Sequence, residues 1–197
     1  MASYIQEIPR KIFFDGDSLF ATSGVGNLRT NESVKACYNS LTGAKPVPSY
    51  NAVSAKTVAQ LISDFPTKIG QWSKPNDIVV CNAATNSLGS LQNPTTVFNE
   101  ISDYVDLVKS YGLKIVYVTM TARTIAYANM EADRLTLNIS IRNLSTLDGV
   151  GDAGANTLFD SVADTSNATY YTDGLHMTSA GSTIYGQSIT PAIQPLL

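Results

Sequence analysis

Short apolar runs that alternate with helix-forming stretches are the feature that most limits how this chain can fold. Runs with the length and composition of buried strands occupy residues 11–14, 77–82 and 113–120. Between the last two, apolar residues recur at helical spacing from about residue 95 to 111, and Gly112 follows as a typical helix end. Strands that are apolar on both faces need helices on both faces, so the sequence predicts an α/β fold with a parallel sheet.

Weaker strand and helix patterns fill the rest of the chain. Strands are predicted over residues 46–53 and 157–162. Helices are predicted over residues 56–69 and 130–144, and from a cap at Thr178 or Ser179 until Pro191. Pro66 is expected to break the first of these helices near its end, because proline lacks the backbone N–H that a helix needs. The polar, glycine-bearing segment 21–43 predicts a loop that carries one short helix.

Length and charge limit the class of protein. With no repeat or internal linker in its 197 residues, the chain is predicted to form one domain, with residues 1–10 as an N-terminal extension. A net charge of −3 leaves no basic stripe to neutralise phosphates, which argues against a nucleic-acid partner. No run reaches the apolar length of a membrane span, and residues 1–10 lack the features of a signal peptide. The sequence does not determine the oligomeric state. For the compartment, two alternatives stay open: the cytoplasm, or an exposed position as part of a phage virion or larger assembly.

Residues that form disulfides or bind metals are few. The two cysteines, Cys37 and Cys81, could pair only if the fold brought them together, and free or buried thiols are the expected state. His176 is the one histidine, and the sequence has no Cys-x-x-Cys motif, so no zinc cluster is expected. The Gly-Val-Gly segment at 24–26 lacks the third glycine of a dinucleotide fingerprint. We therefore expect neither a metal nor a cofactor.

Ser18 is a candidate nucleophile. The first apolar run stops at Asp15, so Ser18 lies just past the carboxyl end of a strand, where open α/β sheets hold their reactive groups. A serine hydroxyl needs a base to remove its proton, and His176 is the histidine available. Asp173, three residues before His176, could orient the imidazole. Each feature alone is weak, since a Gly-Asp-Ser triplet is usually a turn and a lone histidine is usually a surface or core residue.

Taken together, these residues resemble the SGNH hydrolases, the GDSL-type esterases and lipases. The sequence Phe-Asp-Gly-Asp-Ser-Leu at 14–19 resembles the first block of that family, which carries the nucleophile. The sequence Asp-Gly-Leu-His at 173–176 matches the last block, Asp-x-x-His, and Ser-Ala-Gly at 179–181 resembles its continuation. The resemblance covers nearly the whole chain and implies that the catalytic residues are Ser18, Asp173 and His176. It also implies a three-layer α/β/α sandwich, a flavodoxin-like fold with five parallel strands in the order 2-1-3-4-5.

The two inner blocks of the family are matched more loosely. Residues 84–87 are similar to the third block, Gly-x-Asn-Asp, and keep the asparagine as Asn86, but alanine replaces the glycine and Ser87 the aspartate. The best match to the glycine of the second block is Ala55. The resemblance implies that the oxyanion donors are the N–H groups of Ser18 and Ala55 and the side chain of Asn86. A turn role is a serious rival for Asn86, because asparagine often bonds its own backbone.

The resemblance implies a serine esterase with a Ser-His-Asp mechanism and an acyl-enzyme intermediate. The compact chain has no long apolar insertion to form a lid or an acyl channel, which favours small acyl groups, acetyl above all, with carbohydrate as the expected acyl acceptor. A short-chain carboxylesterase or lysophospholipase of the same mechanism is the close alternative. A non-catalytic carbohydrate-binding module on this fold is the alternative from another class. The loose inner blocks favour that module, and the intact serine, histidine and aspartate argue against it.

Overall fold

A five-stranded parallel sheet forms the centre of the protein, in a computed structural model that describes residues 9–21, 31–124 and 130–197. Its strand order is β2-β1-β3-β4-β5, and every neighbouring pair is parallel. The strands are β1 (Lys11–Asp15), β2 (Val47–Tyr50), β3 (Ile78–Cys81), β4 (Lys114–Val118) and β5 (Gly149–Gly151). The α/β class and the strand order 2-1-3-4-5 are therefore confirmed.

Helices cover both faces of this sheet. The α-helices are α1 (Glu32–Ser40), α2 (Val58–Lys68), α3 (Thr85–Gly89), α4 (Pro94–Ser110), α5 (Glu131–Arg142) and α6 (Ser179–Ile193). Short 3₁₀ helices occupy Gly70–Trp72, Ala153–Ala155, Val162–Ser166 and Gln194–Leu196. Successive residues of β1 enter different apolar clusters: Phe13 packs with α2, α4 and α5, whereas Ile12 and Phe14 pack with α1 and α6. This arrangement is the three-layer α/β/α sandwich that the resemblance to the SGNH hydrolases implies.

Two prolines lie inside helices that the sequence predicts to be broken at Pro66 and to end at Pro191. Helix α2 continues past Pro66 to Lys68, so the expected break there is wrong, and helix α6 continues past Pro191 to Ile193, so its predicted end is wrong. Fully buried side chains lie on either side of each proline: Phe65 and Ile69 around Pro66, and Ile189 and Ile193 around Pro191. Because these side chains pack into the apolar clusters, tertiary contact outweighs the backbone hydrogen bond that each proline removes.

The fifth strand lies elsewhere than the sequence predicts. Residues 157–162 do not form a strand, and Phe159 is instead a core residue held in a turn. The fifth strand is Gly149–Gly151, which pairs with β4. A Cβ on Gly149 would lie 2.7 Å from the Ala192 carbonyl oxygen, so the close approach of α6 requires glycine there. Glycine has a low strand propensity, which is why the sequence pattern did not reveal this strand.

The described residues contain neither a disulfide nor a membrane-spanning helix. Cys37 and Cys81 are free and buried, in the apolar clusters on opposite faces of the sheet. Among the described helices, none is both long and apolar enough to cross a bilayer. One domain with an N-terminal extension at residues 1–10 stays a prediction, because residues 1–8 lie outside the described ranges.

Candidate active site

A tight turn after β1 carries Ser18. Gly16 has φ 153°, and a Cβ at this position would lie 1.8 Å from Asn82 Oδ1, so a side chain does not fit. The same Asn82 oxygen, just past the end of neighbouring β3, accepts the Asp17 backbone N–H at 3.0 Å. Asp17 Oδ1 in turn accepts the Leu19 N–H at 3.0 Å. These bonds fix the backbone on both sides of Ser18 relative to the ends of two strands.

The loop before α6 carries Asp173 and His176. Asp173 folds back over its own loop, where Oδ1 accepts the backbone N–H groups of Leu175 at 2.9 Å and His176 at 2.7 Å. Gly174 has φ 78°, and a Cβ there would lie 1.8 Å from Thr124 Cγ2, so this bend also requires glycine. The loop backbone therefore holds the carboxylate beside the imidazole.

The three side chains implied as catalytic form one hydrogen-bonded series. His176 Nε2 lies 3.0 Å from Ser18 Oγ, and His176 Nδ1 lies 2.7 Å from Asp173 Oδ2. Ser18 is half-buried, whereas the side chains of His176 and Asp173 are 44% and 54% exposed. The serine hydroxyl thus lies beside a base at a site that is open to solvent.

Asp173 determines which imidazole nitrogen carries the proton. Partial burial acts to raise the pKa of the Asp173 carboxyl, but hydrogen bonds from His176 and Leu175 outweigh it and lower the pKa below its ordinary value. The ionised carboxylate accepts the proton of Nδ1–H, which leaves the lone pair of Nε2 facing the Ser18 hydroxyl. This is the tautomer that a general base needs.

Asp17 is a buried carboxyl that the sequence analysis did not single out. Its side chain is fully buried, and Oδ2 has no hydrogen-bond partner among the described residues. Burial raises the pKa of Asp17 to about 7, although the Leu19 N–H and the charges of Arg123 and His176 oppose the rise. A group directly beside the candidate nucleophile therefore changes charge near neutral pH.

The segments that carry the implied donors Ala55 and Asn86 are bonded to each other. Asn86 lies in α3, a short helix after β3 that the sequence analysis missed. Its Nδ2 donates to the Lys56 carbonyl at 3.1 Å. Ala55 directly precedes Lys56 and has φ 65°, a left-handed conformation that glycine adopts freely and alanine does not. Among the described residues, none accepts a hydrogen bond from the N–H of Ser18 or Ala55.

Ser87 has a structural role at the position where the family has aspartate. It is fully buried, and its Oγ accepts the Val58 backbone N–H at 3.0 Å. Val58 is the first residue of α2, the helix that follows the Ala55 turn. Ser87 therefore supports this turn through a neutral hydrogen bond.

Buried charges around the candidate site were also missed by the sequence analysis. Lys56 Nζ lies 3.1 Å from Asp15 Oδ1, and Arg123 Nη1 donates to the Thr85 carbonyl, at the start of α3, at 2.7 Å. Charged residues normally lie on the surface, so residue type alone did not indicate that these side chains are buried. Their positions gave a sign, because Asp15 directly follows the apolar run at 11–14 and Arg123 lies three residues after the run at 113–120.

Known proteins match this chain in fold but not in sequence. No family model and no curated protein matches it. Solved structures match over nearly its whole length. TesA has a TM-score of 0.74 at 15% identity, over 95% of this chain and 100% of its own. A GDSL-like lipase from Bacteroides thetaiotaomicron has a TM-score of 0.72 at 17% identity, over 95% of this chain and 89% of its own.

A third solved structure extends the same match. It is a member of the lipolytic protein G-D-S-L family from Veillonella parvula, with a TM-score of 0.71 at 14% identity, over 91% of this chain and 95% of its own. Likeness at such identities shows the fold, and the fold is the one that GDSL-type lipases have. The resemblance to the SGNH hydrolases is confirmed at this level, and the roles of the site residues stay predictions.

Proposed function

We propose that this chain, which has the fold of the SGNH hydrolases, is a serine esterase that hydrolyses small acyl esters through an acyl-enzyme intermediate. The hydrogen-bonded series of Ser18, His176 and Asp173 carries the proposal, because it supplies a hydroxyl with a base and an orienting carboxylate. The fold alone would not suffice, since one fold hosts many functions.

The geometry supports a two-stage reaction. His176 Nε2 removes the Ser18 proton as Oγ bonds to the ester carbonyl carbon, whose π electrons move to the oxygen. The tetrahedral intermediate then collapses, the C–O bond to the alcohol breaks, and the imidazolium protonates the leaving oxygen. A water molecule, deprotonated by the same nitrogen, then attacks the acyl carbon. The bond from that carbon to Ser18 Oγ breaks, the imidazolium returns its proton to Oγ, and the acid is released. Asp173 stays ionised and stabilises the imidazolium in both stages.

Donors for the oxyanion are available around the serine turn. The backbone N–H groups of Ser18 and Ala55 have no acceptor among the described residues. The Asn86 amide carries two hydrogens, and the Lys56 carbonyl accepts one, which leaves the other for a ligand. Donors held by turns and helices need no reorganisation when charge develops, which is the basis of oxyanion stabilisation.

Acetylated carbohydrate is the substrate class that we propose. The side chains of His176 and Asp173 are about half exposed, which suits an acyl acceptor that is itself large and hydrated. The absence of a long apolar insertion in the sequence favours a short acyl chain. Longer acyl esters are the second candidate, because one solved structure with this fold is named a GDSL-like lipase and another a lipolytic protein.

A panel of esters tests both the reaction and the substrate class. For 4-nitrophenyl esters from acetate to octanoate, kcat/KM should be highest for acetate, and a maximum at octanoate would favour the second candidate. Release of acetate from acetylated oligosaccharides tests the acceptor. Activity should fall at acid pH, because an imidazolium cannot accept the serine proton. No hydrolysis of any ester, with no labelling of Ser18 by a serine-directed phosphonate, would instead support a binding module.

A further inference from the structure

Lys56 is a buried cation where several segments of the candidate site meet. Its Nζ lies 3.1 Å from Asp15 Oδ1 and 3.3 Å from Asp64 Oδ2, and its side chain is 3% exposed. The Asp15 side chain is 2% exposed, and its Oδ2 accepts the Tyr104 hydroxyl at 3.0 Å. We call Asp15, Lys56 and Tyr104 the buried charge cluster.

The buried charge cluster is connected to every implied oxyanion donor. Asp15 is the last residue of β1 and leads directly into the turn of the nucleophile. The Lys56 N–H donates to the Val53 carbonyl at 3.2 Å and so closes the turn that contains Ala55. The Lys56 carbonyl accepts the Asn86 amide at 3.1 Å. Lys56 therefore joins the Ala55 turn to α3 through its backbone, and joins both to the end of β1 through its ion pair with Asp15.

Stability alone does not explain why this cluster is charged. Burial raises the pKa of Asp15, because desolvation disfavours the carboxylate, and Lys56 and Tyr104 oppose the rise. Well-packed apolar residues are often at least as stable as a buried ion pair, which loses its hydration on folding. A hydrogen-bonded pair, however, fixes direction and distance in a way that apolar contacts do not. The cluster is therefore suited to holding a strained backbone turn in one position.

We propose that Lys56, paired with Asp15, is a positioning residue for the oxyanion hole. The pair locks the turn at residues 53–56 against the end of β1, so that the Ala55 N–H and the Asn86 amide point to the same place as the N–H of the nucleophile. The inference rests on the proposed esterase function. The cluster acts through these donors and does not contact the reacting atoms itself.

A charge-free version of the pair tests the proposal. Asp15→Asn/Lys56→Met leaves no charge buried alone, so its thermal melt should stay close to that of the wild type. If the pair positions the donors, kcat should fall about 10- to 100-fold with little change in KM, because misplaced donors lose their effect mainly in the transition state. Labelling of Ser18 by a phosphonate to completion measures the fraction of active enzyme, so that kcat is expressed per active site. Asp64→Asn, which removes the more exposed partner of Lys56, is the control and should keep kcat.

Coupling to Asn86 separates positioning from general structural support. In an Asn86→Ala background, the charge-free pair should lower kcat by a smaller factor than it does in the wild type, because one of the two donors that the pair positions is already gone. If the charge-free pair lowers kcat by the same factor with and without Asn86→Ala, the proposal is overturned. A charge-free pair that keeps the kcat of the wild type would also overturn it.

A single substitution keeps the test open if the double variant does not fold. Asp15→Asn preserves the shape of the side chain and an acceptor for Lys56, and its kcat should fall about tenfold at unchanged KM. A kcat equal to that of the wild type would overturn the proposal here too. A wild type that hydrolyses no ester and takes up no phosphonate overturns the esterase function, and the inference with it. If the wild type is active, an unchanged kcat in the variants overturns only the positioning role of Lys56 and Asp15.

Discussion

His176 Nε2 lies 3.0 Å from Ser18 Oγ, although 158 positions separate the two residues. Ser18 follows the first strand, and His176 precedes the last helix, so the parallel sheet brings two distant loops together beyond its carboxyl edge. Removal of the serine hydroxyl is therefore the most direct test of the site.

Ser18→Ala should lower kcat by about 10⁴- to 10⁶-fold, because the nucleophile is lost and only binding and oxyanion contacts remain. Ester hydrolysis and phosphonate labelling measure the loss, and a thermal melt shows that the fold is intact. Ser63→Ala is the matched control, since this exposed hydroxyl on α2 donates only to the Gln60 carbonyl of its own helix. Normal turnover by Ser18→Ala would assign the reaction to another residue.

Asp173→Asn should lower kcat by roughly 10⁴-fold, because an amide facing Nδ1 favours the tautomer whose proton lies on Nε2. That tautomer cannot accept the proton of Ser18. Steady-state kinetics with a 4-nitrophenyl ester measure the effect. Asp103→Asn, on the exposed surface of α4, is the control and should retain the kcat of the wild type. Equal activity of the two variants would remove the carboxylate from the mechanism.

The fold was predictable where burial leaves a pattern in the sequence. β3 is fully apolar and β4 is apolar after Lys114 because helices cover both faces, and their alternation with helices gave the class. β5 was missed because α6 approaches so closely that glycines replace the β-branched residues typical of strands. The expected break at Pro66 and the predicted end of α6 at Pro191 were wrong because packing around these prolines overrides local propensity.

The candidate site was predictable where residue type and position agree. Ser18 and His176 stand out because one follows a buried strand and the other is the sole histidine. The pairing of Asp15 with Lys56 could not be predicted, since 41 positions separate them and each alone indicates a surface residue. The two residues become neighbours only because the fold packs the turn at residues 53–56 against the end of β1.

Asp17 predicts a pH dependence of stability that asparagine should abolish. Burial raises the pKa of Asp17 from 3.8 to about 7, so the folded state binds this proton more tightly than the unfolded chain. The contribution to stability is thus fully present below about pH 4 and is lost as the pH rises through about 7. Asp17→Asn should match the wild type near pH 4 and exceed it by up to about 4 kcal/mol above pH 8. Denaturant unfolding across this range measures the difference, and parallel curves would contradict it.

Ala55→Gly should stabilise the protein, although alanine to glycine usually destabilises. The left-handed φ of 65° costs alanine about 1–2 kcal/mol, more than the roughly 0.5–1 kcal/mol of entropy that glycine loses on folding. We expect a gain of about 0.5–1 kcal/mol in the free energy of unfolding, with kcat retained because the backbone N–H remains. Ala36→Gly, inside α1, is the matched control and should lose a similar amount. A loss at both positions would show that the turn conformation is not strained.

Asn86→Ala tests the side-chain donor of the implied oxyanion hole. If the amide stabilises the oxyanion, kcat should fall about 10²- to 10³-fold with little change in KM, because the interaction strengthens mainly in the transition state. If Asn86 merely ties α3 to the Lys56 carbonyl, the melting temperature should fall and the kcat of the folded fraction should persist. Asn93→Ala is the matched control, since this asparagine accepts the Thr95 N–H as the N-cap of α4 and should affect stability alone. Both variants therefore need kcat and a thermal melt from the same preparation, and an Asn86→Ala enzyme that behaves like Asn93→Ala would leave the oxyanion to backbone donors.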